Sequence, residues 1–156
     1  MKRTPRRAET EIAKLISAFS SRYSYQPVKR KPVIGRTGPD IEINELGLVV
    51  DVKNRKSVPL SAMPGPDQVL DFGDGLLAVR IGQLELLLDP GVSTSKARPS
   101  KTVRAWWEHM DAWKREHYPE GITALAIRRP IKSAYALASF VIHSDERKML
   151  WNRTTN

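Results

Sequence analysis

The sequence predicts an α/β fold: a mixed central sheet flanked by helices, with an inserted hairpin and loop region. Three observations lead there. Apolar residues recur at helical spacing near the start (Ile12, Leu15, Ile16, Phe19) and again at Val103, Trp106, Trp107, Met110 and Trp113. Short β-rich runs bounded by Pro, Gly, Asn and Asp lie between and after these stripes. At 156 residues the chain has the size of a single domain, 1–156, able to bury roughly two-thirds of the surface its unfolded form exposes.

Thr4 caps the first predicted helix, with Pro5 at its first position, and the stripe ends near Arg22. The segment "YSYQPVKRKPVIGRTG" mixes Pro, Gly and cations around Val33 and Ile34, which predicts a short edge strand and a basic loop. Strands at Asp40–Asn44 and Leu48–Lys53 follow, joined at "NELG", where Asn first and Gly fourth favour a type I turn. Residues 57–74 are punctuated by Pro and Gly and predict irregular chain. "LLAVRIG" and "QLELLLD" read as a second hairpin and "GVSTSKARPSK" as a flexible basic loop, the whole forming an insertion over about 57–100. A helix over 102–117 is stopped by Tyr118, Pro119 and Gly121. "ITALAIRR" and "AYALASFVI" then predict two strands turning at "PIKS", and "SDERKMLWNRTTN" a helical or frayed tail.

Charge narrows the partners. Lys and Arg number 26 against 17 Asp and Glu, a net +9, which favours polyanions: nucleic acid first, an anionic membrane surface second. No apolar run approaches the ~20 residues that span a bilayer, and "MKRTPRR" lacks the apolar region of a secretory signal, so a cytoplasmic protein without a membrane segment is expected. The absence of cysteine excludes disulfides, thiolate nucleophiles and Cys-type zinc sites. His109, His117 and His143 contain no i, i+4 pair and read as structural or exposed. "DFGDG" reads as a Gly-rich turn, and the tryptophans of 102–117 as core or dimer contact.

Chemistry concentrates in "PDIEINELGLVVDVK", residues 39–53. Alternation puts Val49, Asp51 and Lys53 on one face and Leu48, Val50 and Val52 on the other. If both apolar rows of the hairpin fall on one side, Glu42 meets Val49 and Asp40 lands opposite Asp51, although a bulged turn would slip this register by one. Directly opposed carboxylates repel, so a positive charge is expected between them: Lys53, or a hard divalent cation held by carboxylate oxygens. Lys53 is then placed to orient a water or to stabilise charge developing on a phosphoryl group. The alternative is an ordinary hairpin with a solvated polar face.

Pro39-Asp40, followed after an apolar run by Asp51-Val52-Lys53, resembles the motif of the PD-(D/E)xK nuclease superfamily. The likeness covers residues 5–56, with a looser match at the Trp-rich helix and "ITALAIRRP". It implies a restriction-endonuclease-like core: a helix, a three-stranded meander, a helix and a further strand. The loop "GRTGPD" and the strand "VVDVKNRK" are most similar to archaeal-type Holliday-junction resolvases, enzymes that phages also carry. Asp51 stands where those enzymes usually have Glu, and 57–100 is a longer insertion than they would lead one to expect. The resemblance also implies a helix-borne carboxylate. Glu9 and Glu11 both qualify, and Glu9 is preferred because it extends the stripe of Ile12 and Ile16.

What the resemblance implies is a Mg2+-dependent endodeoxyribonuclease, with Mn2+ able to substitute, that resolves four-way DNA junctions by paired nicks as a homodimer. The metal would be held by Glu9, Asp40 and Asp51, with Lys53 completing the catalytic set. Lys29, Arg30, Lys31 and Arg36, with Arg55 and Lys56, read as phosphate-positioning residues. The alternatives are another nuclease of the superfamily, restriction-like, nicking or repair, or a non-catalytic basic DNA-binding protein. A dimer surface is expected from the apolar excess of the Trp-bearing helix and of "LLAVRIGQLELLLD" and "ITALAIRR".

Overall fold

The computed structural model describes residues 12, 14, 29–30, 41–43, 47–55, 63–89, 91–98, 101–130 and 136–155. Its strands are β1 (Lys29–Arg30), β2 (Ile41–Ile43), β3 (Leu48–Asn54), β4 (Val69–Asp71), β5 (Leu76–Arg80), β6 (Thr94–Lys96), β7 (Ile122–Pro130) and β8 (Ala136–His143). A 3-10 segment spans Ile81–Leu88, and the helices are α1 (Lys101–His117) and α2 (Ser144–Thr155). All eight strands join one mixed sheet in the order β1-β2-β3-β7-β8-β5-β4-β6. Ile12 and Lys14 are helical, the first fully buried and the second exposed, as the predicted stripe requires. The predicted caps at Thr4 and Pro5 lie outside the described residues, as does the edge strand expected at Val33 and Ile34. The strand found is β1, antiparallel to β2.

Hydrophobic alternation sets the β2–β3 register as expected: Ile41 faces Val50, Glu42 faces Val49 and Ile43 faces Leu48. Gly47 enters β3 with φ +60°, a backbone state that glycine adopts without steric penalty. β3 then pairs in parallel with β7, from Leu48 opposite Ile122 to Asn54 opposite Arg128. A strand so placed is covered on both faces, and every residue of β7 from Ile122 to Arg128 is buried.

Two apolar layers result. On one face Leu48, Val50, Ala124, Ala126, Phe140 and Ile142 pack with Ile12, with Leu84 and Leu87 of the 3-10 segment, and with Leu150 of α2. On the other, Val49, Leu125, Ile127 and Val141 pack under Val103, Trp107 and Met110 of α1. Those three α1 residues lie at i, i+4 and i+7, the spacing of a single helix face. Much of the apolar material from which a dimer surface was expected is buried within the chain itself, while Leu86, Trp106 and Trp113 are only partly buried. Trp151, 42% exposed, is the large apolar side chain left at the surface among the described residues.

The region 57–100 departs most from expectation. "QLELLLD" is not a strand. The segment is two short 3-10 turns meeting at a kink at Gln83 (φ −127°, ψ 40°), and the buried Leu84 and Leu87 of the second stand at the i+3 spacing at which 3-10 side chains eclipse. Leu, Glu and Gln also carry none of the β-branching that favours strands. β5 therefore pairs with β4 and β8 instead of closing a hairpin on 83–89. Nor is "GVSTSKARPSK" simply a loop: Thr94–Lys96 forms β6, a fully exposed edge strand parallel to β4. A strand that buries no side chain leaves no hydrophobic alternation to read. The insertion thereby widens the sheet beyond β8. "DFGDG" is the tight β4–β5 turn, with Gly73, Asp74 and Gly75 all at positive φ.

Candidate active site

Asp51 and Lys53 follow Val49 along the face of β3 that α1 covers. Val49 is buried, whereas the side chains of Asp51 and Lys53 retain 14% and 23% of their exposure, and Lys53 Nζ lies 3.4 Å from Asp51 Oδ2. Level with them on β7 are Leu125 and Ile127, both buried in the same layer. The ion pair thus stands between an apolar wall and solvent, where charges interact more strongly than in open water.

Trp106 lies against Lys53 and Arg55. Its ring centroid is 5.9 Å from Lys53 Nζ and 5.8 Å from Arg55 Cζ, separations within the ~6 Å reach of cation–π attraction. Arg55 is exposed just past β3, and its backbone N–H donates to the Arg128 carbonyl at 3.0 Å, continuing the β3–β7 ladder. The reading of all three α1 tryptophans as core or dimer contact misses this role. Trp107 is buried; Trp106, one residue earlier, is turned about 100° around the helix to the border of the stripe. That offset from Val103, Trp107 and Met110 was the available signal. Arg128, level with Asn54, is buried in a strand read as apolar, and its burial is not legible from the residue pattern.

The remaining assigned residues divide as follows. Lys29 and Arg30 form β1, opposite Glu42 and Ile41. Glu9, Glu11, Lys31, Arg36, Asp40 and Lys56 lie outside the described residues. Lys96, Arg98 and Lys101, leading into α1, are exposed. Among the described residues no three Asp, Glu or His side chains group to hold a metal ion, and Asp51 is the sole described member of the carboxylate set assigned to one. Its half-buried carboxylate is a hard oxygen donor of the type Mg2+ accepts, one or two at a time, alongside water and phosphate oxygens.

A second polar cluster lies where β7 begins, about four residues or 13 Å back along the strand from the level of Lys53. Lys114 Nζ of α1 meets Glu146 Oε1 of α2 at 2.6 Å, and the Thr123 backbone N–H donates to Glu146 Oε2 at 3.3 Å. Burial pushes the Glu146 carboxyl above its ordinary value, opposed by the hydrogen bond and charge of Lys114 and the Thr123 N–H, while the nearby charge of Asp111 adds to the rise. The His143 ring stacks on Trp107 at 6.5 Å, and its Nδ1 accepts the Asp145 backbone N–H at 3.1 Å. Trp107, Asp111, Lys114, His143, Asp145 and Glu146 line a cleft of about 370 Å³. His109 and His117 are exposed.

Comparison with family models, with curated proteins and with solved structures finds no match to this chain. No described helix is long and apolar enough to cross a membrane.

Proposed function

We propose that the chain is a metal-dependent DNA endonuclease of the PD-(D/E)xK type acting on four-way junctions. The observation that carries the reading is the Asp51–Lys53 pair, 3.4 Å apart and half-buried on one face of β3. Two features support it. The β2–β3 register, continued by one residue, is the register under which the sequence sets Asp40 opposite Asp51. The order of a meander β1-β2-β3, then α1, then a strand returning parallel beside β3 also agrees with a restriction-endonuclease-like core.

In this reading Asp51, with Asp40 and Glu9, would hold Mg2+, which when bound neutralises phosphoryl oxygens and makes water more acidic. Asp51 offers a carboxylate that is acceptor-only when ionised, suited to a cation and unfavourable beside a bare phosphate. Lys53, held in register by β7 and by Trp106, donates N–H groups to a phosphate oxygen or to the attacking water and offsets the charge that grows there. Leu125 and Ile127 keep water off one side of the pair. Two such sites related by two-fold symmetry would deliver the paired nicks that a junction needs, so a homodimer is part of the proposal.

The test is a cleavage assay with and without Mg2+ on duplex, nicked, flap and four-way junction DNA. Preferential Mg2+-dependent cutting of the junction is expected. Equal cutting of all four would leave another nuclease of the superfamily; tight binding without cutting would leave the basic DNA-binding protein.

A further inference from the structure

The solvent side of α1 is divided by charge. Val103, Trp107, Met110 and Lys114 turn into the protein, buried or half-buried. To one side of them lie Lys101, Arg104, Glu108, Asp111 and Arg115, all charged. To the other lie Thr102, Ala105, Trp106, His109, Ala112 and Trp113, none with a formal charge, and this row meets its first charge at Glu116. At 100° per residue the row covers an arc of roughly 120°. Thr102, Ala105, His109 and Ala112 are exposed, and Trp106 and Trp113 are half-buried at the border of the inner layer. A helix with one buried face ordinarily carries charged and polar residues around the rest; here two tryptophans and two alanines take up much of it. The row is also symmetric about His109. Trp106 and Ala112 lie three residues before and after it, Ala105 and Trp113 four, Thr102 and Glu116 seven.

We infer that this row is where a second copy of the chain docks, the two α1 helices packing antiparallel about a two-fold axis at His109. That pairing brings Trp106 level with Ala112 of the second copy, and Ala105 level with Trp113 of the second copy. Each ring then meets a methyl group, the large-against-small match by which facing layers interdigitate. Parallel pairing would set ring against ring. A partner of different sequence gains nothing from the symmetry, whereas a two-fold contact between like chains requires it, since residue i meets j and j meets i. Charge agrees with a second copy. Chains of net +9 repel one another wherever cations face, and the row presents none. At either end Glu116 of the second copy falls level with Thr102 and beside Lys101, an exposed ammonium without an ion-pair partner among the described residues. Trp106 stands about 4.5 Å of helix axis from His109 and also touches Lys53, so both proposed sites lie beside the axis. The use of the pair for two symmetric nicks rests on the nuclease reading above; the docking surface does not.

The test is the mass of the full chain in solution, measured by light scattering at micromolar concentrations without DNA. A dimer is expected. Ala112→Glu puts a charge on a position exposed in the single chain, and glutamate is a good helix former, so circular dichroism should stay near wild type. The dimer dissociation constant should nevertheless rise on the order of 10²-fold, because each dimer would bury two unpaired charges. Glu108→Gln, on the charged side, should leave it unchanged. Register is tested by exchange: Ala105→Trp should weaken the dimer by crowding Trp113 of the second copy, and Ala105→Trp/Trp113→Ala, which again sets one ring against one methyl, should restore it. Since the chain has no cysteine, His109→Cys supplies a single thiol facing its own copy across the axis. Mild oxidation should link that pair, and Glu108→Cys should not link. A wild-type monomer, a dimer indifferent to Ala112→Glu, or equal linking at both positions overturns the interface. A monomer whose DNA affinity falls in Trp113→Ala overturns it too and gives the row to unstacked bases. Should Ala112→Glu fail to fold, the two cysteine variants decide. A dimer that behaves as stated but cuts no DNA removes the nuclease reading and leaves the interface standing, while junction cutting by a monomer does the reverse.

Discussion

Replacing Lys114 by Met should make the fold more sensitive to pH than the wild-type chain. Glu146 is 5% exposed and its partner ammonium is 2.6 Å away, so the substitution leaves a buried carboxylate without its cation. Removing one partner of a buried ion pair destabilises by about 3–5 kcal/mol. For a chain of this length that corresponds to a drop in Tm of roughly 6–20 °C. The carboxyl is already raised above its ordinary 4.5 by burial, and Lys114 supplies the largest lowering influences. Without Lys114 it rises further. A carboxyl raised on folding contributes stability that is fully present below its unfolded pKa and lost as pH rises through the folded value. Lys114→Met should therefore be nearly as stable as wild type around pH 4 and fall progressively behind it towards neutrality. The double variant Lys114→Met/Glu146→Gln keeps an acceptor for the Thr123 N–H and carries no charge. It should recover to within about 1–2 kcal/mol of wild type and lose the pH dependence. Urea unfolding followed by circular dichroism between pH 4 and 8 measures all three chains. A loss below about 1 kcal/mol at pH 7, or one of equal size at both ends of the range, would show that the pair does not lock α1 to α2.

Three further outcomes bear on the proposed site. Asp51→Asn and Lys53→Ala should each lower Mg2+-dependent cleavage by on the order of 10²–10³-fold while circular dichroism and duplex affinity stay near wild type. Near-normal turnover in either would refute the assignment. Glu9→Gln should damage cleavage far more than Glu11→Gln in the same assay, since Glu9 continues the stripe that buries Ile12; the reverse order would put the catalytic carboxylate on the other helix face. Replacing Lys29, Arg30, Lys31 and Arg36 together should flatten the salt dependence of DNA binding by up to about 0.9 per lost phosphate contact, and an unchanged slope would assign that basic segment to solvent.

What the sequence makes legible follows from what each element buries. β2 and β3 alternate cleanly, so a one-residue slip would turn Leu48 and Val50 to the opposite face; the register is therefore encoded, and Glu42 opposite Val49 was foreseeable. The α1 stripe and the apolar run of β7 are readable for the same reason. β6 is not, because Thr94, Ser95 and Lys96 bury no side chain and are held by backbone pairing alone. Ile81–Leu88 was misread because Leu is at home in a helical turn or a strand, and the spacing of the buried residues separates the two only once burial is known. At the site, the pairing of Asp51 with Lys53 on one face follows from strand period two. The contact of Trp106 with Lys53 does not, since it depends on how α1 is rotated over the sheet, a tertiary choice made by Val103, Trp107 and Met110.

The strand order also dictates when the sheet can be completed. β4, β5 and β6 are synthesised before β7 and β8, yet β7 and β8 lie between them and β3 in the finished sheet. A nascent chain that has emerged only as far as α1 holds two groups of strands with no partner for either inner edge: the parallel face of β3 on one side and β5 on the other. Such open edges invite pairing with other chains. The β7–β8 hairpin is the keystone that closes both at once, Asp51 gaining Leu125 and Val79 gaining Phe140 as neighbours. The Asp51–Lys53 strand thus reaches its full support only when the residues after Gly121 arrive, and a polypeptide stopped before Ile122 should collect in aggregates and not as a smaller working unit.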